Sequence, residues 1–433
     1  MNALPWIAAA LVGSTTLFLI WRGALVLMLL LIGSLFLGWV SPTHLEVAGS
    51  FDVHAALIVF IAIALCFGLA RGFVRDTSFG LPMTALACLW LGALLMPVLR
   101  GESTPFLALN ASKEFMMLFA YFAMVTFVRG MRDLRFAWRA ILWLGIYYSL
   151  IEIAAQMVGP ALIDRMAVDY RPDAFGLWKL YLGFWPVILI TLLYAVFAYC
   201  QGRRRSLPLL LLALAGLMLT FFRSYLLAFL AIVPCLLLLV RAARESRRAV
   251  VELAVVFAFA AALGLLLAGN AFVDASDSFA FSGLRELRDQ TGGALAGRQA
   301  YEHTLFELTA QRPLFGFGFV QRESAIVQQL SLPAFAGSSL GFIDAGWADV
   351  LVKFGYVGGA TLLLTWLWIL KRVFGIARRT ESADVRVRAL TVAALILIYI
   401  IVLPVHAPLT HSFGLLPLAL ALGILDGEAR REA

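Results

Sequence analysis

Apolar residues in this chain come in long, nearly unbroken runs separated by short polar connections. The runs fall at about 4–20, 24–40, 55–70, 82–99, 114–128, 137–158, 177–199, 207–222, 224–240, 249–269, 348–370, 387–404 and 411–425. About 20 apolar residues coiled as a helix cross a hydrocarbon core ~30 Å thick. Helix is the conformation these runs predict, because lipid offers no partner to a bare backbone N–H or C=O. The alternating ten-residue segments of an outer-membrane barrel are absent. The pattern therefore predicts an all-α polytopic membrane protein of about 12–13 transmembrane helices, with one long polar connection over residues 270–347.

Composition agrees. The chain of 433 residues is 62% hydrophobic and 14% charged, against about 45–50% and about 25% for soluble domains. A formal charge of +8 would suggest nucleic acid in a soluble protein. Here it follows topology, since Lys and Arg gather in cytoplasmic loops. Alternate connections hold 22 of the 34 cations, among them Arg129, Arg132, Arg135, Arg139, Arg203, Arg204 and Arg205. That set is read as cytoplasmic, with the N-terminus outside and the C-terminus inside. The other 12 lie on the disfavoured side: Arg100, Lys113, Arg165, Arg171, Lys179, Arg223, Arg285, Arg288, Arg298, Arg312, Arg322 and Lys353. Some of these are expected to be kept for chemistry. Cys66, Cys88, Cys200 and Cys235 lie in or beside apolar runs, with no disulfide or zinc spacing. Met1–Ile20 lacks a charged n-region, so no cleavable signal peptide is expected.

Three stretches on the outer side carry candidate chemistry. Arg223 stands between two apolar runs, in Phe222-Arg223-Ser224. It is either snorkelling to headgroups or a clamp for phosphate oxygens, which guanidinium pairs bidentately. The long connection has eight acidic and five basic residues, so it is not a polybasic patch. Within it Gly297–Leu308 reads as an amphipathic helix, with Tyr301, Leu305 and Leu308 at helical spacing. That helix carries Arg298 and His303 and ends at Pro313. The glycine-rich turn Pro313-Leu314-Phe315-Gly316-Phe317-Gly318 follows. The third stretch runs from Asp344, at the mouth of a membrane helix, to Gly355-Tyr356-Val357-Gly358; Asp344 reads alternatively as an N-cap or a first-turn acid. His406 and His411, between the last two runs, are further imidazole candidates. Glu152 and Gln156 share one face of the sixth run; a carboxylate so deep reads either as functional or as a structural partner for another helix.

These four motifs, in this order and on one predicted side, resemble the O-antigen ligase and Wzy-type polysaccharide polymerase superfamily. The resemblance covers residues 207–372, with a weaker echo at Tyr170-Arg171-Pro172-Asp173. It implies a GT-C-like bundle and a metal-independent, inverting glycosyltransferase without a cofactor, in the bacterial inner membrane. Its substrate would be an undecaprenyl-pyrophosphate-linked oligosaccharide, and its acceptor a glycan or lipid A core, at the periplasmic face. Lost pyrophosphate carries growing negative charge, which Arg223 and Arg298 would offset, with Arg171 and Lys179 in support. Asp344 stands where ligases of this group carry histidine. An aspartate can take a proton from the acceptor hydroxyl, and it favours the polymerase over the ligase. His303 and His411 are expected to contact glycan or pyrophosphate.

The chain divides accordingly into N-terminal helices (1–206), central helices (207–269), the large loop (270–347) and C-terminal helices with a tail (348–433). The loop is expected to close over the membrane face, bringing Arg298 and Asp344 toward Arg223. A secondary transporter is the reading from another class; it predicts broken helices and charge at the midplane of two related halves, neither of which stands out here.

Overall fold

The computed structural model describes residues 61, 62, 66, 77–128, 130–159, 170–172, 178–180, 185–220, 222–239, 252, 294–321 and 345–432. The runs expected over 4–20 and 24–40 lie outside the described residues, and those over 55–70 and 249–269 almost wholly so. The described helices are α1 (Gly80–Leu99), α2 (Pro105–Met116), α3 (Ala120–Phe127), α4 (Met131–Val158), α5 (Pro186–Cys200), α6 (Leu207–Leu219), α7 (Arg223–Leu239), α8 (Ala294–Gln311), α9 (Trp347–Arg379), α10 (Ala383–Val402) and α11 (Ser412–Glu432). Five of them, α1, α4, α9, α10 and α11, are long and apolar enough to cross a membrane, and α5 and most of α7 form shorter apolar helices. The chain is a polytopic all-α membrane protein.

Local chemistry sets the ends. Thr104 caps α2, its Oγ1 accepting from Leu107 N at 3.3 Å with Pro105 in the first turn. Ser382 does the same for α10. Helix α9 closes on Arg378 and Arg379, cations that suit the negative end of the helix dipole. α8 is longer than the expected 297–308 and stops two residues before Pro313. A single 3-10 turn, Met117–Phe119, separates α2 from α3 inside what reads as one apolar run.

The run expected to be helical from 177 is corrected. Trp178–Leu180 is a strand, antiparallel to Tyr170–Pro172, and α5 begins only at Pro186. Short apolar stretches carry no period that separates strand from helix. Proline at the first helical position fixes the true start.

α10 and α11 carry their charges near one end and are otherwise apolar and largely buried, running through the middle of the bundle. α10 packs on α5, α7, α9 and α11, and α11 on α3 and α4. α1 lies outside, with Leu91, Leu95 and Leu99 exposed. Polar groups divide between the two ends. At one end Arg388 pairs with buried Glu428, Arg203 with Asp384, and Arg372 Nη1 donates to Ser78 O at 2.6 Å. We call this the basic end. The opposite end, the loop end, holds the 100–104, 311–321 and 403–411 connections and the ribbon.

Candidate active site

α9 is broken near the loop end. Gly355 has φ 64° and ψ −173°, a conformation essentially reserved for glycine. The break removes Tyr356 N and Val357 N, and the carbonyls of Val352 and Lys353, from the helical ladder. All four groups are taken up by the glycine-rich turn. Tyr356 N donates to Pro313 O at 2.7 Å and Val357 N to Leu314 O at 3.1 Å. Phe317 N donates to Val352 O at 2.8 Å and Gly318 N to Lys353 O at 3.0 Å. A buried backbone group without a partner costs about 1–3 kcal/mol, so the turn and the break specify each other. A Cβ on Gly316 would meet Gly355 N at 2.7 Å, and one on Gly355 would meet Leu314 O at 2.5 Å. The Pro-Leu-x-Gly-x-Gly and Gly-x-x-Gly motifs are thus two halves of one joint.

Two of the minority cations hold that joint. Arg312 grips Glu102 with both guanidinium nitrogens, Nη1 to Oε2 at 2.6 Å, and lies 4.4 Å over the Phe317 ring. Arg100 Nη1 donates to Gly316 O at 3.3 Å. Their role in the described structure is architectural.

The joint places the first turns of α9 in the interior, and there sits a cluster of ionisable groups that sequence reasoning did not assemble. Lys353 Nζ lies 2.7 Å and 2.9 Å from the two oxygens of Asp349, one helical turn away. Thr410 Oγ1 donates to Asp349 Oδ2 at 2.7 Å. His411 Nε2 stands 3.4 Å from the same oxygen, while His411 Nδ1 contacts Glu114 Oε2. Asp349, Lys353, Thr410 and His411 are buried. The Glu114 side chain is 45% exposed, so the cluster opens outward through that carboxylate.

His411 lies in the connection before α11. Its burial works against the charged form, but the carboxylates of Glu114 and Asp349 outweigh both that and the Lys353 ammonium. They raise the imidazole to about 9. It is an imidazolium at neutral pH, and the cluster of two carboxylates, one ammonium and one imidazolium is formally neutral.

An aromatic group ties the cluster to Arg223. Trp185 stacks on Phe222 with centroids 4.4 Å apart and meets the edge of Tyr225 at 4.6 Å. His406 packs edge-on against Phe222 and Tyr225, at 5.8 Å and 5.6 Å, and Phe413 lies between His406 and His411. Arg223 follows Phe222 directly and is the first residue of α7. Its side chain lies outside the described residues, as does that of Arg298 on α8. Tyr301, one turn after Arg298, packs with Leu305 and Leu308 against Phe317, Ala345 and Ala348. Asp344 itself lies outside the described residues. Arg171 and Lys179 are cross-strand partners in the ribbon. His303 is exposed, with Nδ1 3.3 Å from Glu307 Oε1 on the same helix. Glu152 is buried on α4.

Residues 208–363 match the family model described as O-antigen ligase. The chain carries an O-antigen ligase domain. It runs from α6 through α7 and α8 into the first half of α9, and so contains Arg223, Arg298, Asp344, the joint, Asp349 and Lys353. Over those residues the chain is similar to the O-antigen ligase family, and its membrane-length helices make it a multi-pass membrane protein. Glu114 and His411, and the ribbon strands that contain Arg171 and Lys179, lie at the same end from outside the O-antigen ligase domain. No curated protein matches the chain.

Glu114, Asp349 and Lys353 were not singled out as a site from the sequence. Their signal was present, as Asp349 and Lys353 are four residues apart near the start of an apolar helix, and charge in such helices is by default functional.

Proposed function

We propose that this protein is a membrane glycosyltransferase that moves an undecaprenyl-pyrophosphate-linked glycan to an acceptor hydroxyl at the periplasmic face of the bacterial inner membrane. We infer that it joins lipid-linked repeat units into a surface polysaccharide, an exopolysaccharide or O-antigen. The observation that carries this reading is the match of the O-antigen ligase domain, whose α7 start, α8 and α9 start meet the ribbon's end of the bundle. A pyrophosphate leaving group needs positive charge placed where its own charge grows. Arg223 offers this twice, as a guanidinium and as the first residue of a helix whose N-terminus favours anions. Arg298 on α8 supplies a second guanidinium, with Arg171 and Lys179 on the ribbon as further contacts. His303 and His411 are the imidazoles assigned to the glycan or pyrophosphate, and Asp344, three residues before α9 in the sequence, is the carboxylate.

The Asp344 substitution favours polymerisation of repeat units over ligation of a finished glycan to lipid A core. Deletion in cells separates the two. A polymerase mutant displays single repeat units; a ligase mutant leaves long polymer on the lipid carrier. Arg223→Ala and Arg298→Ala are each expected to reproduce the deletion. Polymer of normal length and amount in both variants, read on a glycan-stained gel, refutes the enzymatic reading.

A further inference from the structure

The cluster at the start of α9 has one member that a substrate can reach. Asp349 is fully buried, held by Lys353 and Thr410. His411 is buried, with Nδ1 against Glu114 and Nε2 3.4 Å from Asp349 Oδ2, so both ring nitrogens face carboxylates of the cluster and not an acceptor. Glu114 is different. Its side chain is 45% exposed, and its described contacts engage Oε2. It sits three residues before a 3-10 turn, on a helix that α11 packs against. His411 thus fixes a carboxylate that points out of a buried, charge-balanced base. Sustaining such a group in an apolar bundle is costly, and the joint at Gly355 is what places its anchor, Asp349. The same end of the bundle holds the start of α7, through the His411–Phe413–His406–Phe222 contacts.

Resting on the glycosyltransferase reading above, we propose that Glu114 takes the proton of the acceptor hydroxyl, and that His411 is the positioning residue that orients it. The acceptor O–H proton moves to a Glu114 carboxylate oxygen as the acceptor oxygen bonds to the anomeric carbon. The bond from that carbon to the pyrophosphate oxygen breaks, and its electron pair leaves on the lipid pyrophosphate. Glu114, being exposed, then returns its proton to water. His411 donates to Glu114 throughout and stays charged. Asp349 anchors His411 and has no contact with the acceptor. This assigns the base to a helix outside the O-antigen ligase domain, in place of Asp344.

The test uses the full-length protein in vesicles, with the undecaprenyl-linked glycan that accumulates in the deletion strain as donor and acceptor. A positioned base contributes about 10²–10⁴-fold. Glu114→Gln is expected to lower kcat by at least about 100-fold, with KM for the lipid-linked glycan within about threefold of wild type. Should Glu114→Gln fail to fold by size-exclusion chromatography, Glu114→Asp keeps the charge and withdraws the oxygen by one methylene, and is expected to lose about tenfold in kcat. His411→Gln removes the cation facing Glu114, leaving Asp349 and Lys353 of α9 as its charged neighbours. It is expected to move the acid limb of the kcat–pH profile upward, which a purely structural role would not do. If Arg223→Ala is inactive while Glu114→Gln or Glu114→Asp turns over as wild type, this proposal is wrong and the glycosyltransferase reading stands. If Arg223→Ala is also fully active, the underlying reading is what has failed.

Discussion

Asp349 is held from three directions: by the Lys353 ammonium within its own helix, and by the Thr410 hydroxyl and His411 from the connection before α11. Removing one partner of a buried ion pair leaves the other uncompensated, at about 3–5 kcal/mol. Asp349→Asn strands the Lys353 ammonium and is expected to lower stability by that order, read as the thermal midpoint in detergent. Lys353→Met leaves the Asp349 carboxylate buried but still beside His411 and Thr410, so its cost is expected to be smaller. pH tests the same cluster. The imidazole of His411 is raised to about 9 when folded, above about 6.5 when unfolded. Its contribution is therefore complete below about pH 6.5 and is lost as pH rises through about 9. The thermal midpoint of the wild type is expected to fall between pH 7 and 10, and the fall to shrink in His411→Gln. An equal fall in both proteins would remove His411 as its cause.

At the scale of elements, the joint between the 313–318 turn and the break in α9 is a lock made from backbone. Gly355→Ala places a Cβ 2.5 Å from Leu314 O and demands a conformation closed to alanine. It is expected to destabilise the protein by more than about 2 kcal/mol and to speed proteolysis after Phe315. Arg312→Ala, which removes the Glu102 clamp, is expected to raise proteolysis with a smaller loss of stability; unchanged cleavage in both variants would show that the turn is held by other means. Both glycine motifs were legible in the chain, because glycine punctuates a helix and Pro313 ends one. Their mutual bonding was not, since nothing in a linear pattern says that a turn near 315 repairs a helix at 355. The same limit hid the cluster. Glu114 and His411 are 297 residues apart, and each alone is a single polar residue beside an apolar run. The long runs near 387–404 and 411–425 were legible as α10 and α11 because sustained apolar length is decisive for a membrane helix. The run from 177 was not, because three residues such as Trp178–Leu180 are too few to carry a period that separates strand from helix.

At the scale of the whole molecule, the two ends differ in how they treat charge. The basic end spreads it over Arg132, Arg135, Arg203, Arg204, Arg205, Arg378, Arg379, Arg386 and Arg388, with Arg203–Asp384 near its rim. The loop end concentrates it in the buried Asp349 group and the Arg312–Glu102 clamp. The cation bias of membrane topology predicts that the basic end faces the cytoplasm, and the chemistry proposed for the loop end needs the opposite face. Accessibility tests both at once. In a background without Cys66, Cys88, Cys200 and Cys235, a cysteine at Leu314, exposed on the turn, should react in intact spheroplasts with a membrane-impermeant maleimide. One at Arg204, exposed beside α6, should react only after lysis. The reverse pattern would put the arginine-rich connections outside and the Glu114 carboxylate on the cytoplasmic side. A donor presented at the periplasmic face could then not reach it, and both the proposed orientation and the proposed base would fall together.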